Sequence, residues 1–442
     1  MNKNTENTGL NLSVKSFITA IVVIFLLMVA TYGLTFIIPG GGIPFWKWAI
    51  SPILVLGAEG NVSLIAVIIF LLIIGGVFNC LDKCGLMKYM LDTITYRFGK
   101  ERYKLLAFVT LFFMAMGSFI GSFEEVVPLV PIVVALAIRL GWDALVGLGM
   151  SLLAIGCGFS AGICNPFTVG VAQEIAGLPM FSGVWMRVVA FAVVYGVLIT
   201  FLSVYAKKIE KPLDDNAVGK NFKEDKKMTK GLIWFGSLMG AGIALVLSSV
   251  VLTFLQDYTM IIVAATFLAA GMIATVVSGK GGKIGKVFLD GVINVMPAML
   301  MILMANSIKY TLTEGNILDT ILHGMVSTAE TLPRGLVVLF IYLIVLVMNF
   351  FISSGSAKAF LLMPLIVPIA EAFGISAQLC ILAYAFGDGF SNVFYPTNPV
   401  LLISIGLVDV DYGKWVKWSW KFQLVNHILT SGLVLLGLAI GY

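Results

Sequence analysis

The chain has 442 residues, of which 60% are hydrophobic and only 12% charged, with a mean hydropathy of +1.03. Soluble proteins carry about 25% charged residues, so this composition excludes a soluble globular domain and indicates a polytopic membrane protein. The net charge of +5 implies no nucleic-acid partner, because the basic residues flank apolar segments instead of forming a patch.

Residues 1–15 are polar and precede a first span at about 16–39, too long for a cleaved signal peptide and lacking its cleavage site. Trp46 and Trp48 follow, in a connection suited to the membrane interface, before a second span at about 60–82. Residues 83–104 carry Lys83, Lys88, Arg97, Lys100, Arg102 and Lys104 and read as an amphipathic helix on the membrane surface. Apolar runs at 105–120 and 126–140 flank GSFEE, and neither comfortably reaches the ~20 residues a span needs. They are expected to form a re-entrant hairpin with its tip, 121–125, at depth. A third span starts at 143 and breaks at about 158–168, and a fourth covers about 185–205.

Residues 206–230 form the only long charged stretch, a solvated linker. Spans then follow at about 231–256, 258–279 and 284–308, with a second surface segment at 309–334. A second hairpin is expected at 335–372 with its tip at 353–358. An eighth span starts near 376 and breaks at 390–399, and a ninth covers about 418–441. Cys80, Cys84, Cys157, Cys164 and Cys380 lie in or beside apolar segments with no His or Cys set to hold a metal, so they read as packing residues.

The two halves echo each other. GCGFS at 156–160 matches GDGFS at 387–391, and Asn165-Pro166 matches Asn398-Pro399. A pattern recurring after about 231–233 residues is a duplication. The span at 231–256 has no counterpart, and one extra crossing turns the second half over, so the repeats are expected to be inverted. Most Lys and Arg then fall on one side, which the positive-inside rule makes cytoplasmic together with the N-terminus. Lys47, Arg187, Lys309 and Arg334 fall outside, and Lys358 in the membrane. The expected fold is all-α, with about nine transmembrane helices plus two re-entrant hairpins.

Paired helix breaks at bilayer depth mark a transporter's binding site. Glu124 and Glu125 at the first tip would bind a cation, either a substrate amine or guanidinium, Na⁺ or H⁺, unless they face cytoplasmic water. Two adjacent acids repel, so one is a candidate proton carrier. Lys358, beside Ser353, Ser354 and Ser356, would counter a substrate carboxylate or pair with a glutamate; the plain alternative is snorkelling to the surface. Asp388 and Asn392 stand where the first repeat has Cys157 and Ala161, so one copy alone gained an acid. Its plain alternative is helix–helix hydrogen bonding. Asn165, Thr168, Thr397 and Asn398 sit where helices unwind and expose carbonyls and N–H groups, although Asn-Pro is also an ordinary turn signal. His323 and His427 are placed near membrane edges without a role.

The GSFEE tip, NPFTVGVAQEIAGLP, SSGSAKA and GDGFSNVFYPTNP together resemble the anaerobic C4-dicarboxylate carrier-like family of the ion transporter superfamily. The closer resemblance is to its basic amino acid antiporter branch, and it covers nearly the whole chain. It implies an elevator transporter of the bacterial inner membrane, built as a homodimer. Residues 1–104 and 231–334 would form the scaffold, with 105–205 and 335–442 the transport domain and 206–230 the cytoplasmic linker. The site would comprise the residues above together with Ser122, with Na⁺ held near Ser122, Asn165, Ser354 and Asn398 and either Na⁺ or H⁺ as coupling ion. No other cofactor is expected. The implied substrate is arginine, ornithine or lysine, and the family name leaves a C4-dicarboxylate or other small carboxylate as the alternative. Three acids, Glu124, Glu125 and Asp388, against one base, Lys358, favour the cationic amino acid.

A channel would need a continuous polar path, whereas the polar residues concentrate at two tips. An enzyme would need a nucleophile–base or metal set, which two peripheral histidines do not supply. A cysteine placed at Asn216 in the linker should react with impermeant reagents only from the cytoplasmic side; labelling from outside would overturn the inversion.

Overall fold

A computed structural model of the chain describes residues 14–38, 42–58, 62–119, 121, 123, 126–127, 129–179, 181–212, 224–248, 252, 258–279, 281–329 and 331–442. Among these residues every regular element is helical. Most of the first tip and the middle of the linker, 213–223, lie outside the described residues.

Helix α1 (Val14–Ile37) is followed by two short turns, α2 (Phe45–Ala49) and α3 (Ser51–Leu54). Trp48 is buried here, its indole N–H donating to the Met28 carbonyl at 3.1 Å and its ring stacked on Tyr32. It anchors the turns to α1, so only Trp46 keeps the exposure expected of an interfacial ring. Helix α4 (Val62–Lys83) ends at a left-handed Gly85 and leads into α5 (Leu86–Phe98), which buries Leu86, Met87 and Leu91 along one face. α6 (Arg102–Phe119) and α7 (Val130–Arg139) are the arms of the first hairpin. The path continues through α8 (Ala144–Leu148), a wide π-helical turn at Gly149–Leu153, and α9 (Ala154–Ser160). After a break, a second wide turn at Pro166–Gly170 opens α10 (Val171–Ile175), and α11 (Val184–Ile209) closes this half.

Beyond the linker come α12 (Lys226–Ser248), α13 (Thr259–Val277), α14 (Ile284–Glu314) and α15 (Ile317–Ala329). The second hairpin is α16 (Arg334–Phe351) and α17 (Gly355–Ala372); α18 (Ala377–Asn392), a break, α19 (Pro399–Leu407) and α20 (Tyr412–Ile440) complete the chain. The lengths repeat between halves: α5 and α15 have 13 residues each, α6 and α16 have 18 each. One boundary differs from the expectation. The polar residues 309–314 do not begin a surface segment, because α14 runs unbroken to Glu314 and turns only at Asn316, which is left-handed at φ 53°.

Among the described residues, six helices are long and apolar enough to cross a membrane: Leu86–Phe119 taken as one path, α11, α14, α16, α17 and α20. Both arms of the second hairpin are among them, at 18 residues each. The protein is therefore a multi-pass membrane protein, with apolar side chains such as Phe25, Trp234 and Ile428 exposed where lipid would cover them.

Packing divides the helices into two groups. α12 packs on α13, α13 on α4, α4 on α14 and α14 on α1, and α4 meets α14 where an added Cβ on Gly291 would strike the Gly75 carbonyl. The other group joins α6 to α9, α16 to α18 and α9 to α18, with α11 and α20 alongside. The glycines of the repeated motif set these crossings. Gly158 lies on the Met114 backbone of α6, Gly387 on Tyr342 and Val345 of α16, and Gly389 on the Ser160 backbone. A side chain at Gly158 must push two backbones apart. Gly158→Ala should therefore cost about 1–3 kcal/mol as overpacking does, whereas Gly196→Ala, in open space on α11, should be neutral or stabilising by up to about 1 kcal/mol. Thermal melting of the purified protein in detergent checks both.

Candidate functional site

Each break is capped in the same way. The side-chain oxygen of Asn165 accepts from the N–H groups of Phe167 (2.9 Å) and Thr168 (3.2 Å), with Pro166 next. That of Asn398 accepts from Val400 (2.9 Å) and Leu401 (3.4 Å), with Pro399 next. An Asn N-cap followed by Pro satisfies the first orphan donors of a restarting helix and wastes none on the proline. Ser354 caps α17 likewise, accepting from the Ala357 N–H at 3.4 Å. Three of the four oxygens expected near Na⁺ are thus engaged as caps, and the fourth, Ser122, lies outside the described residues.

The tips converge on the first break. Gly121, left-handed at φ 72°, lies so close to the Asn165 amide that no side chain fits there. The outer arm of the first hairpin is tied to the break by Ser118, whose hydroxyl donates to the Ala161 carbonyl and accepts from the Ile163 N–H, both at 2.9 Å. From the second hairpin, the Ser356 hydroxyl donates to the Phe167 carbonyl at 2.8 Å. Gly355 occupies the junction, where an added Cβ would stand 2.6 Å from Thr168 Cγ2 and 2.7 Å from Asp388 Oδ2. Its carbonyl accepts from the Tyr384 hydroxyl.

Lys358 and Asp388 form an ion pair with neither side chain exposed, Nζ to Oδ1 2.6 Å. Nζ also donates to the Ile352 carbonyl at 3.1 Å and to Asn349 Oδ1. An ammonium has three protons, and all three have acceptors here. Lys358 does not snorkel, and its partner is Asp388 on α18, not the glutamate that the sequence offered. Asn349 organises the surroundings: its two amide protons are shared among three acceptors within reach, the Asp388 carbonyl (2.9 Å), Ser391 Oγ (2.6 Å) and Asn392 Oδ1 (3.0 Å). Asn392 in turn donates to Asp388 Oδ1 at 3.4 Å and accepts from the Asn398 amide at 3.1 Å. The second hairpin, α18 and the second break are one polar network.

Four buried polar atoms at these breaks lack a partner among the described residues: Asp388 Oδ2, Thr168 Oγ1, Asn165 Nδ2 and Thr397 Oγ1. Buried polar groups are ordinarily satisfied by protein or ordered water, so these four have hydrogen-bonding capacity to spare at the two breaks. Two of the four, on Asp388 and Thr168, belong to the side chains flanking Gly355. Ser353 stays half-buried at the tip and Thr397 is nearly buried at the second break. Glu124 and Glu125 lie outside the described residues, and no group of three or more His, Cys, Asp or Glu among the described residues gathers as a metal site.

Three side chains matter that the sequence leaves unassigned. Asn349 is a buried amide in an otherwise apolar arm, and its isolation there is the signal. Arg187, read as an outside charge, is buried and braces the segment after the first break by donating to the carbonyls of Ile163, Phe181 and Ser182. His427 is not peripheral: it shares a 2.7 Å hydrogen bond with the Tyr342 hydroxyl and packs on Phe390.

This geometry can be set against known proteins. The sequence profile of the C4-dicarboxylate anaerobic carrier (DcuC) family matches residues 49–439. The chain belongs to the DcuC family. It is thereby a membrane transporter. It is 29% identical over 400 residues to the "Putative basic amino acid antiporter YfcC" of Escherichia coli K12, covering 86% of this chain and 78% of that one. It is 24% identical over 398 residues to an uncharacterized protein of Haemophilus influenzae, covering 86% and 76%. Among solved structures, the YdaH transporter of Alcanivorax borkumensis, described as having an unusual topology, aligns over 96% of this chain and 99% of its own with a TM-score of 0.50 at 16% identity. At that identity the likeness concerns the fold alone.

Within this DcuC-family fold the ion pair should behave as a unit. Lys358→Met leaves Asp388 buried and uncompensated, which should cost about 3–5 kcal/mol, and Lys358→Met with Asp388→Leu should recover most of it. Thermal melts of the single and double variants check this; equal melting of Lys358→Met and wild type would contradict it.

Proposed function

We propose that the protein is a secondary active transporter of the bacterial cytoplasmic membrane that exchanges a cationic amino acid of the arginine, lysine or ornithine type. The observation that carries this reading is Asp388, a buried carboxylate with one oxygen committed to Lys358 and the other unpaired beside Gly355 and Thr168. Lys358 holds the place of the substrate's cation in the empty carrier, and substrate binding transfers Asp388 from the lysine to the guanidinium or ammonium of the ligand. A buried carboxylate is costly without a cationic partner, so one cation must be present in every state that crosses the membrane. Lys358 meets that requirement in the empty carrier, so the case for exchange rests on the antiporter name of the Escherichia coli relative.

The rest of the architecture follows the sequence reading. The repeats are inverted, the two hairpins and two breaks move as an elevator against α1, α4 and α12–α14, and two copies assemble through that scaffold. The N-terminus and the linker are cytoplasmic. Glu124 and Glu125 supply further acids at the site, and Na⁺ or H⁺ couples transport where exchange does not. The repeated lengths of α5 with α15 and α6 with α16 support the duplication, and the printed name of the Escherichia coli relative supports the substrate class.

A second reading, transport of a C4-dicarboxylate, has the family description behind it. Lys358 serves it poorly, because its protons are already taken. Purified protein in liposomes separates the two. Radiolabelled arginine should accumulate by counterflow against internal lysine, with succinate neither entering nor competing. Asp388→Asn should weaken arginine uptake roughly 10–150-fold, as the loss of a charge-assisted contact of about 1.5–3 kcal/mol requires. Succinate counterflow without arginine counterflow would replace this proposal with the dicarboxylate one.

A further inference from the structure

A cavity of about 240 Å³ lies between the α14–α15 corner and the second hairpin, and adjoins the Asp388 site through Ile352. Lys309 and Thr313 of α14 line it on one side, with Asn316 and Leu318 at the corner. Ile352 of the tip and Ala357 and Leu361 of α17 line the other. Lys309 and Thr313 are one helical turn apart and so share a face of α14. The left-handed Asn316 then turns the chain, bringing its amide to the same wall.

Lys309 is the cation in this wall, half-buried and with no acidic partner among the described residues. Glu314, on the same helix, is paired instead with Lys47. A half-buried ammonium beside a hydroxyl and an amide, facing Leu318, Ile352, Ala357 and Leu361, is complementary to one kind of small molecule. That molecule has an anionic head and a short aliphatic body. The alternative cation of the second half, Lys358, has no proton left for such a ligand.

We propose that this cavity is a binding site for a small organic carboxylate, held by Lys309 and Thr313 and seated against the aliphatic wall of the second hairpin. The site bridges two bodies. One wall is the α14–α15 corner, and the other includes Ile352, whose carbonyl accepts a proton of Lys358. A bound carboxylate therefore fixes the hairpin tip against the α14–α15 corner and reports to the ion pair through a single residue. Occupancy should slow any movement of the hairpin past the corner. The inference does not depend on the transported substrate, since it concerns Lys309 and not Asp388.

Equilibrium binding of radiolabelled hexanoate to the purified full-length protein tests it. Wild type should bind saturably, Lys309→Gln at least tenfold more weakly, and Lys309→Arg close to wild type. Thr313→Val should weaken binding severalfold, which keeps the test available should Lys309→Gln fold poorly. Hexanol, which lacks the charge, should not compete. Equal hexanoate binding by wild type and Lys309→Gln would overturn the proposal, as would no saturable binding to wild type. Displacement of hexanoate by butanoate or pentanoate supports a small monocarboxylate site. Retention of phosphatidylglycerol but not hexanoate would instead make the cavity a lipid site and refute the assignment. Arginine exchange failing while hexanoate binds through Lys309 would count against the transport reading alone.

Discussion

The structure depends on one buried ion pair. Lys358 and Asp388 come from helices of different supersecondary units, the inner arm of the second hairpin and the helix that precedes the second break. Neither charge is tolerable alone away from water, and the pair is tolerable only because Asn349, Ile352 and Asn392 satisfy what remains. Hairpin, α18 and break are thereby held in one register. The same pair leaves one carboxylate oxygen unpaired at the junction with Thr168 and Gly355.

Around that pair, the two halves use the same devices with different contents. Asn165 and Asn398 cap their restarting helices with the same geometry, each ahead of a proline. The glycines of GCGFS and GDGFS let each helix lie directly on its hairpin arm and on the opposite helix. What differs is the second residue of the motif: Cys157 is buried beside Asn426, whereas Asp388 meets Lys358. At this position one break thus carries a charged residue and the other a neutral one.

Much of this was legible in the residues. Helix breaks at 158–168 and 390–399 appear as expected, because Gly, Asn and Pro interrupt apolar runs for local steric reasons that need no tertiary contact. The second tip falls slightly earlier than expected, at 352–354, because Ser354 caps α17 and 355–358 already belong to that helix. The partner of Lys358 was harder. Asp388 lies 30 residues away, and nothing local says that it, and not a glutamate of the other half, would reach the ammonium. Asn165, Asn398 and Ser354 look like ligands in sequence, yet the restarting helices claim their oxygens first. The extent of α14 escaped for another reason. Its polar end, 309–314, has the composition of a surface helix, but continuity of the backbone overrides composition and the turn waits for Asn316.

The proposed exchange of one cation for another at Asp388 is open to direct measurement. Infrared difference spectroscopy of protein carrying ¹³C-labelled aspartate reads that carboxylate directly. Adding arginine should shift the carboxylate stretch of a single aspartate, the shift should vanish in Asp388→Asn, and succinate should produce none. An arginine-saturated protein whose aspartate bands are unchanged from the empty state would contradict the account.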